Sequence, residues 1–135
     1  MDEETLDGLG ALQRLVLETV WELGEATVQQ VRDRLATAER GELAYTTVLS
    51  VMQKLEKVGW LGHRAEGRVY VYKPTKSRDE ADSSTARALM RRVFGGDPLR
   101  LFQHILADEE LSDRDLAALK KMLERKRSEK EGRTP

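Results

Sequence analysis

Four polar side chains recur at a spacing that would place them on one face of a helix. Thr46, Ser50, Gln53 and Lys57 lie three or four positions apart. A helix that turns by about 100° per residue therefore brings them together. Hydroxyl and amide groups can bond base edges in a DNA groove, and a lysine can contact a phosphate. The pattern predicts a surface that contacts nucleic acid.

The remaining reactive side chains predict neither catalysis nor a metal centre. The chain has two histidines, His63 and His104, and no cysteine, which excludes disulfides, thiolate chemistry and sulfur-ligated metals. No serine has an evident general base beside it, and the acidic run at 108–110 is typical of a solvated turn before a helix. We therefore expect no enzyme activity, no cofactor and no metal site.

The helix that carries the polar surface must bury its other side. Gly59 follows the segment and can adopt the left-handed conformation that ends helices. We predict a helix over about residues 46–58. Its apolar residues follow the spacing of one buried face: Val48, Val51, Met52, Leu55 and Val58.

A hairpin is predicted directly after this helix. Alternating runs at 61–65 and 68–73 flank Glu66-Gly67, and two residues including a glycine between such runs indicate a tight turn. Arg64 and Arg68 lie beside the predicted tip, with Glu66 as the acid near them in sequence. We expect both arginines to contact the DNA backbone or minor groove.

Two helices are predicted before this stretch. The first covers Leu9 to Leu23 and ends at Gly24. Thr27 and Gln30 have the spacing of a capping box, which begins the second helix; it ends near residues 36–38. A polar, glycine-containing turn follows at 39–42. The order of three helices and a hairpin indicates a winged helix-turn-helix head. The apolar residues assigned to the first two helices are Leu12, Leu15, Val16, Val20, Leu23, Val28, Val31 and Leu35.

The charge distribution agrees with DNA binding, although the formal net charge is −1. Residues 1–42 hold four arginines against ten acids, whereas residues 43–78 hold seven basic residues against two acids. A solvated face alone could explain Lys54 or Lys76. The basic excess nevertheless falls on the stretch whose geometry suits a groove, which favours a nucleic-acid partner.

Three more helices are predicted in the C-terminal half. Each has a local start signal: Ser77 with Glu80, Asp97 with Pro98, and Ser112 with Asp115. We divide the chain into a head at 1–76, a helical dimerisation region at 77–126 and a disordered tail at 127–135. Three modest helices bury little surface, so a second copy is expected to cover them, the alternative being their own head. The expected dimer residues are Leu89, Val93, Leu99, Phe102, Ile105, Leu106, Leu116, Leu119 and Met122.

The ordered set of motifs resembles the penicillinase repressor family of the BlaI/MecI type. The resemblance runs from Leu9 to Leu123. It lies in VWELGEATVQQVRDRL, AYTTVLSVMQKLEKVGWL, the hairpin ending VYKP, and FGGDPLRLFQHILADEELSDRDLAALKKML. It implies a mainly α fold with a small β-hairpin, and a homodimeric repressor, linked to antibiotic resistance, that binds an operator palindrome. The family's groove-reading helix corresponds here to Thr46, Thr47, Ser50, Gln53 and Lys54.

The resemblance also implies a route to release of repression. Family members are inactivated by proteolysis in the dimerisation region, which corresponds to residues 101–107 here, and a membrane sensor protease is the expected partner. Where the family pattern has asparagine before phenylalanine, this chain has Leu101 before Phe102. Copper-responsive relatives use a C-terminal cysteine cluster, and this chain has no cysteine.

Two other functions remain open from the residues alone. One is a metal- or ligand-sensing regulator that uses carboxylates with His63 or His104. The other is a winged-helix module that binds protein rather than DNA. The sequence has no apolar run near the roughly 20 residues that span a bilayer, and its first residues are acidic. We expect a cytoplasmic protein.

Overall fold

Glycines and side-chain caps set the limits of most helices and strands. The computed structural model describes residues 5–37, 41–108 and 110–133. Parts of two predicted turns, at 39–40 and at Glu109, lie outside the described residues, as does Ala38 at the predicted end of the second helix. In chain order the elements are a short 3-10 helix Leu6–Gly8, α1 Ala11–Leu23, α2 Val28–Leu35, α3 Tyr45–Lys57, β1 Leu61–Glu66, β2 Val69–Pro74, α4 Arg78–Phe94, α5 Pro98–Leu106 and α6 Asp113–Arg133.

The predicted capping boxes are confirmed. The Gln30 amide donates to the Thr27 hydroxyl at 3.1 Å, and the Thr27 amide donates to the Gln30 side chain at 2.9 Å. Ser77 and Glu80 form the same pair of bonds before α4. Each box bonds backbone amides that a helix start leaves unpaired.

The core lies between α1, α2, α3 and the hairpin. Val48, Met52 and Leu55 are fully buried, and the other two apolar residues predicted for the inner face of α3 pack partly buried against the same cluster. Two assignments in α1 were wrong. Leu17, which we did not assign to the core, is fully buried, whereas Leu23 at the C-terminal end is 37% exposed.

The hairpin pairs one residue further along than predicted. Glu66 pairs with Val69, so the tip is Gly67-Arg68 rather than Glu66-Gly67. Gly67 has φ +64°, which a two-residue hairpin loop requires and which glycine adopts without steric cost. We call this hairpin, residues 61–74, the wing. Ala26, between α1 and α2, exchanges backbone hydrogen bonds of 2.9 and 2.8 Å with Tyr72 on β2.

The chain divides into a first unit, residues 1–89, and a second unit, residues 90–135. The first unit includes much of α4, so it extends beyond the boundary at 76/77 that we predicted. Ala81 of α4 is fully buried in the core, and the Thr85 hydroxyl accepts a 3.0 Å hydrogen bond from the Leu6 amide. The start of α4 therefore completes the head.

The second unit contains α5 and α6. No residue of α5 is buried. We expected a disordered tail from residue 127, but α6 continues through Arg133. Glutamate, lysine and arginine dominate this last part, and their high helix propensity favours a helix even without an apolar face. Among the described residues, no helix is long and apolar enough to cross a membrane.

Candidate nucleic-acid interface

The outer face of α3 is a continuous polar surface. Because the opposite side of the helix is buried against α1, α2 and the wing, these side chains are presented on a fixed backbone. The surface has the hydroxyl, amide and ammonium groups that bond base edges and phosphates. All six predicted DNA-binding residues of the helix are exposed: Thr46, Thr47, Ser50, Gln53, Lys54 and Lys57.

The start of α3 is electrically suited to an anion. Ala44 precedes the helix and provides no side-chain cap, and the first turn has no acidic residue. The first turn itself therefore does not compensate the positive end of the helix dipole, and Glu42 is the acid that precedes it in sequence. Tyr45, the first residue of α3, is 46% exposed beside Thr46. Sequence reasoning missed Tyr45, because a helix-period pattern does not distinguish an exposed aromatic from a core aromatic.

Arg64 on the wing is held by two carboxylates. Its Nη1 and Nη2 atoms donate to the two Glu25 carboxylate oxygens at 2.8 and 2.9 Å. Its Nε and Nη2 atoms donate to Glu66 Oε1 at 3.1 and 2.8 Å. Hydrogen bonding to Arg64 lowers the pKa of Glu25, and the two carboxylates raise the pKa of Arg64. The Glu25 pairing was not predicted, since 39 positions separate the residues.

Arg68 occupies a different environment. It lies in the turn of the wing and is exposed. Within the described segments we find no ion pair or hydrogen bond of its guanidinium. Its charge is therefore available to a phosphate, and the predicted contact with DNA stays a prediction.

His63 links the wing to α3. Its Nδ1 atom lies 2.8 and 2.7 Å from the two carboxylate oxygens of Glu56, in the last turn of α3. The ring stacks on Tyr70 of β2, with centroids 4.4 Å apart and planes at 29°. The described part of the chain contains no group of three or more histidine and acidic residues that could hold a metal ion. His63 thus belongs to the contact between the helix and the wing.

Trp60 fixes the junction between α3 and β1. Its side chain is 1% exposed and meets the Trp21 ring edge to face, with centroids 6.4 Å apart. The Lys76 ammonium lies 5.0 Å from the centre of the Trp60 ring, and the Lys76 carbonyl accepts a 2.9 Å hydrogen bond from Trp21 Nε1. Trp21 is therefore a packing residue.

The residues predicted for dimerisation are largely uncovered in the single chain. Leu99 is 74% exposed and Phe102 is 48% exposed. Leu119 is half-buried. The others are also exposed: Leu89, Val93, Ile105, Leu106, Leu116 and Met122.

Comparison with known proteins assigns the chain to a family. The family model described as "Penicillinase repressor" matches residues 9–125. The chain belongs to the penicillinase repressor family. The resemblance noted in the sequence is thereby confirmed, and the fold is that of a winged-helix regulator. This family membership covers both units of the structure.

Two curated relatives and one solved structure illustrate the similarity. The chain is 40% identical over 76 residues to the transcriptional regulator BlaI of Mycobacterium tuberculosis, covering 56% of this chain and only 54% of that relative. It is 23% identical over 115 residues to the penicillinase repressor of Bacillus licheniformis, covering 85% of this chain and 88% of that protein. The transcriptional regulator Tm0710 of Thermotoga maritima shares the fold, with a TM-score of 0.50 and 17% identity over 96% of this chain and 82% of that chain.

Proposed function

We propose that this chain is a cytoplasmic, homodimeric transcriptional repressor that binds a palindromic DNA operator through α3 and the wing. The observation that carries the proposal is the exposed polar face of α3 on a helix whose other side is buried. Membership in the penicillinase repressor family supports it. The relatives are named as a transcriptional regulator and a repressor, not as enzymes.

The proposed DNA contacts divide by chemistry. Ser50 and Gln53, in the middle of the exposed face, are assigned to base edges in the major groove. Lys57, near the end of α3, and Arg68, at the tip of the wing, are assigned to phosphates, where a positive charge adds affinity without sequence preference. The other assigned contacts on α3 are Thr46, Thr47 and Lys54.

The proposed dimer forms through the apolar residues of α5 and α6, together with Leu89 and Val93 of α4. An amphipathic helix with no buried residue in the single chain leaves apolar area in water, and a second copy would cover it. Two linked heads then bind the two halves of a palindrome. The second binding event is intramolecular, and such linkage raises affinity by about 10²–10⁴-fold.

Release of repression is proposed to follow proteolysis within residues 101–107 of α5, by a membrane sensor protease of the kind that serves this family. A cut there would divide the helix that carries the exposed Phe102 and Ile105. The first unit would remain folded, but the dimer linkage would be lost.

Selection of a duplex from a random-sequence pool by the full chain tests the DNA-binding proposal. We expect one palindromic sequence to be enriched, its affinity to fall with salt, and the free protein to sediment as a dimer. A full chain that enriches no duplex would contradict DNA binding, and a monomer would contradict the dimer. Binding that requires an added metal ion would favour the sensing regulator instead.

A further inference from the structure

We propose that Arg64 is a positioning residue that holds the wing through Glu25, and that it does not contact phosphate itself. This inference rests on the proposed function, because it concerns how the wing meets DNA. It changes the expectation that Arg64 and Arg68 act alike. Arg68 then provides the phosphate contact, and Arg64 fixes the position of the wing that carries Arg68.

Four of the five guanidinium N–H groups of Arg64 donate to carboxylates. All three of its nitrogens donate, and Glu25 receives two parallel bonds, the bidentate arrangement that fixes direction as well as distance. Glu66, on the same strand as Arg64, accepts two further bonds. Isolated surface ion pairs contribute little to stability, but bidentate networks of this kind are the exception.

The pair joins two parts of the first unit that are distant in sequence. Glu25 lies in the loop between α1 and α2, and its neighbour Ala26 bonds the backbone of Tyr72 on β2. Arg64 lies on β1, opposite Val71. The ion pair therefore attaches the first strand of the wing to the loop that the second strand already contacts. Together with the contact between His63 and Glu56 of α3, the ion pair and the backbone bridge restrain rotation of the hairpin.

Electrostatics oppose transfer of Arg64 to DNA. The cluster of Arg64, Glu25 and Glu66 has one positive and two negative groups. If Arg64 turned to a phosphate, it would break the bidentate pair and leave two carboxylates beside a polyanion, with Lys73 as the other cation that acts on Glu25. Arg68 has no such competition within the described residues. A phosphate is therefore expected to bind Arg68 and to leave Arg64 in place.

Substitution of Glu25 changes the affinity for DNA in opposite directions, depending on whether Arg64 positions the wing or contacts a phosphate. Removing a carboxylate near DNA strengthens binding by charge alone, and it would free Arg64 if that residue were a phosphate contact. If Arg64 positions the wing, Glu25→Ala instead weakens binding of the full chain to its selected duplex by about three- to tenfold, in the lower part of the range for residues that are coupled by contact. The matched control is Glu42→Ala.

Glu42 is exposed just before α3 and has no ion pair among the described residues. Its removal should therefore leave the affinity for the selected duplex equal or higher.

The salt dependence provides a second, independent measurement. A lost phosphate contact lowers the slope of log affinity against log salt by about 0.9. We expect Arg64→Gln to weaken binding with an unchanged slope, and the double variant with Glu25→Ala to bind no more weakly than the weaker single variant. Denaturant midpoints of all variants check that each is folded.

The outcomes separate the two proposals. If the unsubstituted chain enriches no duplex, the proposed function fails and this inference with it. If it enriches a duplex but Glu25→Ala binds it as well or better, the positioning role alone is overturned. If Arg64→Gln lowers the slope of log affinity against log salt, the positioning role is also overturned, and Arg64 is a phosphate contact.

Discussion

Ser50 and Gln53 provide the residue-scale test of base recognition. Both are exposed in the middle of α3, on a helix whose inner face is fixed in the core. Ser50→Ala or Gln53→Ala should reduce discrimination between the selected duplex and random DNA by about 1–3 kcal/mol per good base contact. Competition titrations with both duplexes measure this. Equal weakening on both would assign these side chains to the DNA backbone.

Arg68, unlike Ser50 and Gln53, should contribute affinity without sequence preference. Because it lies exposed in the wing turn, Arg68→Gln should weaken binding to every sequence and lower the salt slope by about 0.9. Titrations at several salt concentrations provide the measurement. Arg114→Gln, which removes an exposed positive charge from α6, is the control and should leave the slope nearly unchanged. An Arg68 variant with the slope of the unsubstituted chain would leave this residue a solvated arginine.

Contacts between distant residues limited what the sequence could predict at this scale. The exposed face of α3 followed from local spacing alone. The environment of Arg64 did not, because the sequence near it contains Glu66 but gives no sign that Glu25 folds against the same guanidinium. His63 is similar: its link to Glu56 crosses from a strand to a helix, and no periodicity of either element reveals that contact.

Gly67 determines the geometry of the wing at the scale of the element. Its φ of +64° is a conformation that costs an L side chain about 1–2 kcal/mol. Gly67→Ala should therefore lower the free energy of unfolding by about that amount, measured by urea denaturation. Gly62→Ala is the matched control, since Gly62 lies in β1 without a positive φ and a Cβ there meets open space. If both variants unfolded at the same urea concentration, strain at the tip would be excluded.

Helix starts were predicted well because their signals are local. A capping box needs two side chains three positions apart, and both predicted boxes form. The hairpin tip was one residue too early, because strand pairing rather than composition decides whether Glu66 belongs to the strand. We predicted too early an end for α6, because the apolar periodicity of the helix stops before residue 127. Residues of high helix propensity can continue a helix without an apolar face, as they do here through Arg133.

At the scale of the molecule, the position of a truncation should decide whether the first unit is stable. A chain ending at Leu89 retains Ala81 in the core and the Thr85 hydroxyl that accepts from Leu6. A chain ending at Arg78 loses both, and an unpaired amide alone costs about 1–3 kcal/mol where it stays buried. We expect the shorter chain to unfold at a lower temperature, measured by circular dichroism. Equal melting temperatures would show that α4 adds nothing to the head.

The chain that ends at Leu89 also tests whether dimerisation raises the affinity for the palindrome. Without α5 and α6 the chain ending at Leu89 should sediment as a monomer and bind the selected palindrome about 10²–10⁴-fold more weakly than the full chain. The boundary predicted at residue 76 would leave out the part of α4 that belongs to the first unit. Linker-like residues 74–77 mark the end of a strand, but sequence does not reveal that the next helix packs back on the same core.

The hydrogen bond between Leu6 and Thr85 has a consequence for how the protein is made. It joins residues 79 positions apart, near the two ends of the first unit. A ribosome adds about 5–20 residues per second, so about 4–16 s pass between synthesis of the two partners. During that interval α1, α2 and α3 can form, but the surface that later receives Ala81 stays open to water. Slower translation between the end of α3 and Thr85 would therefore lengthen the time in which this surface can meet proteases or wrong partners.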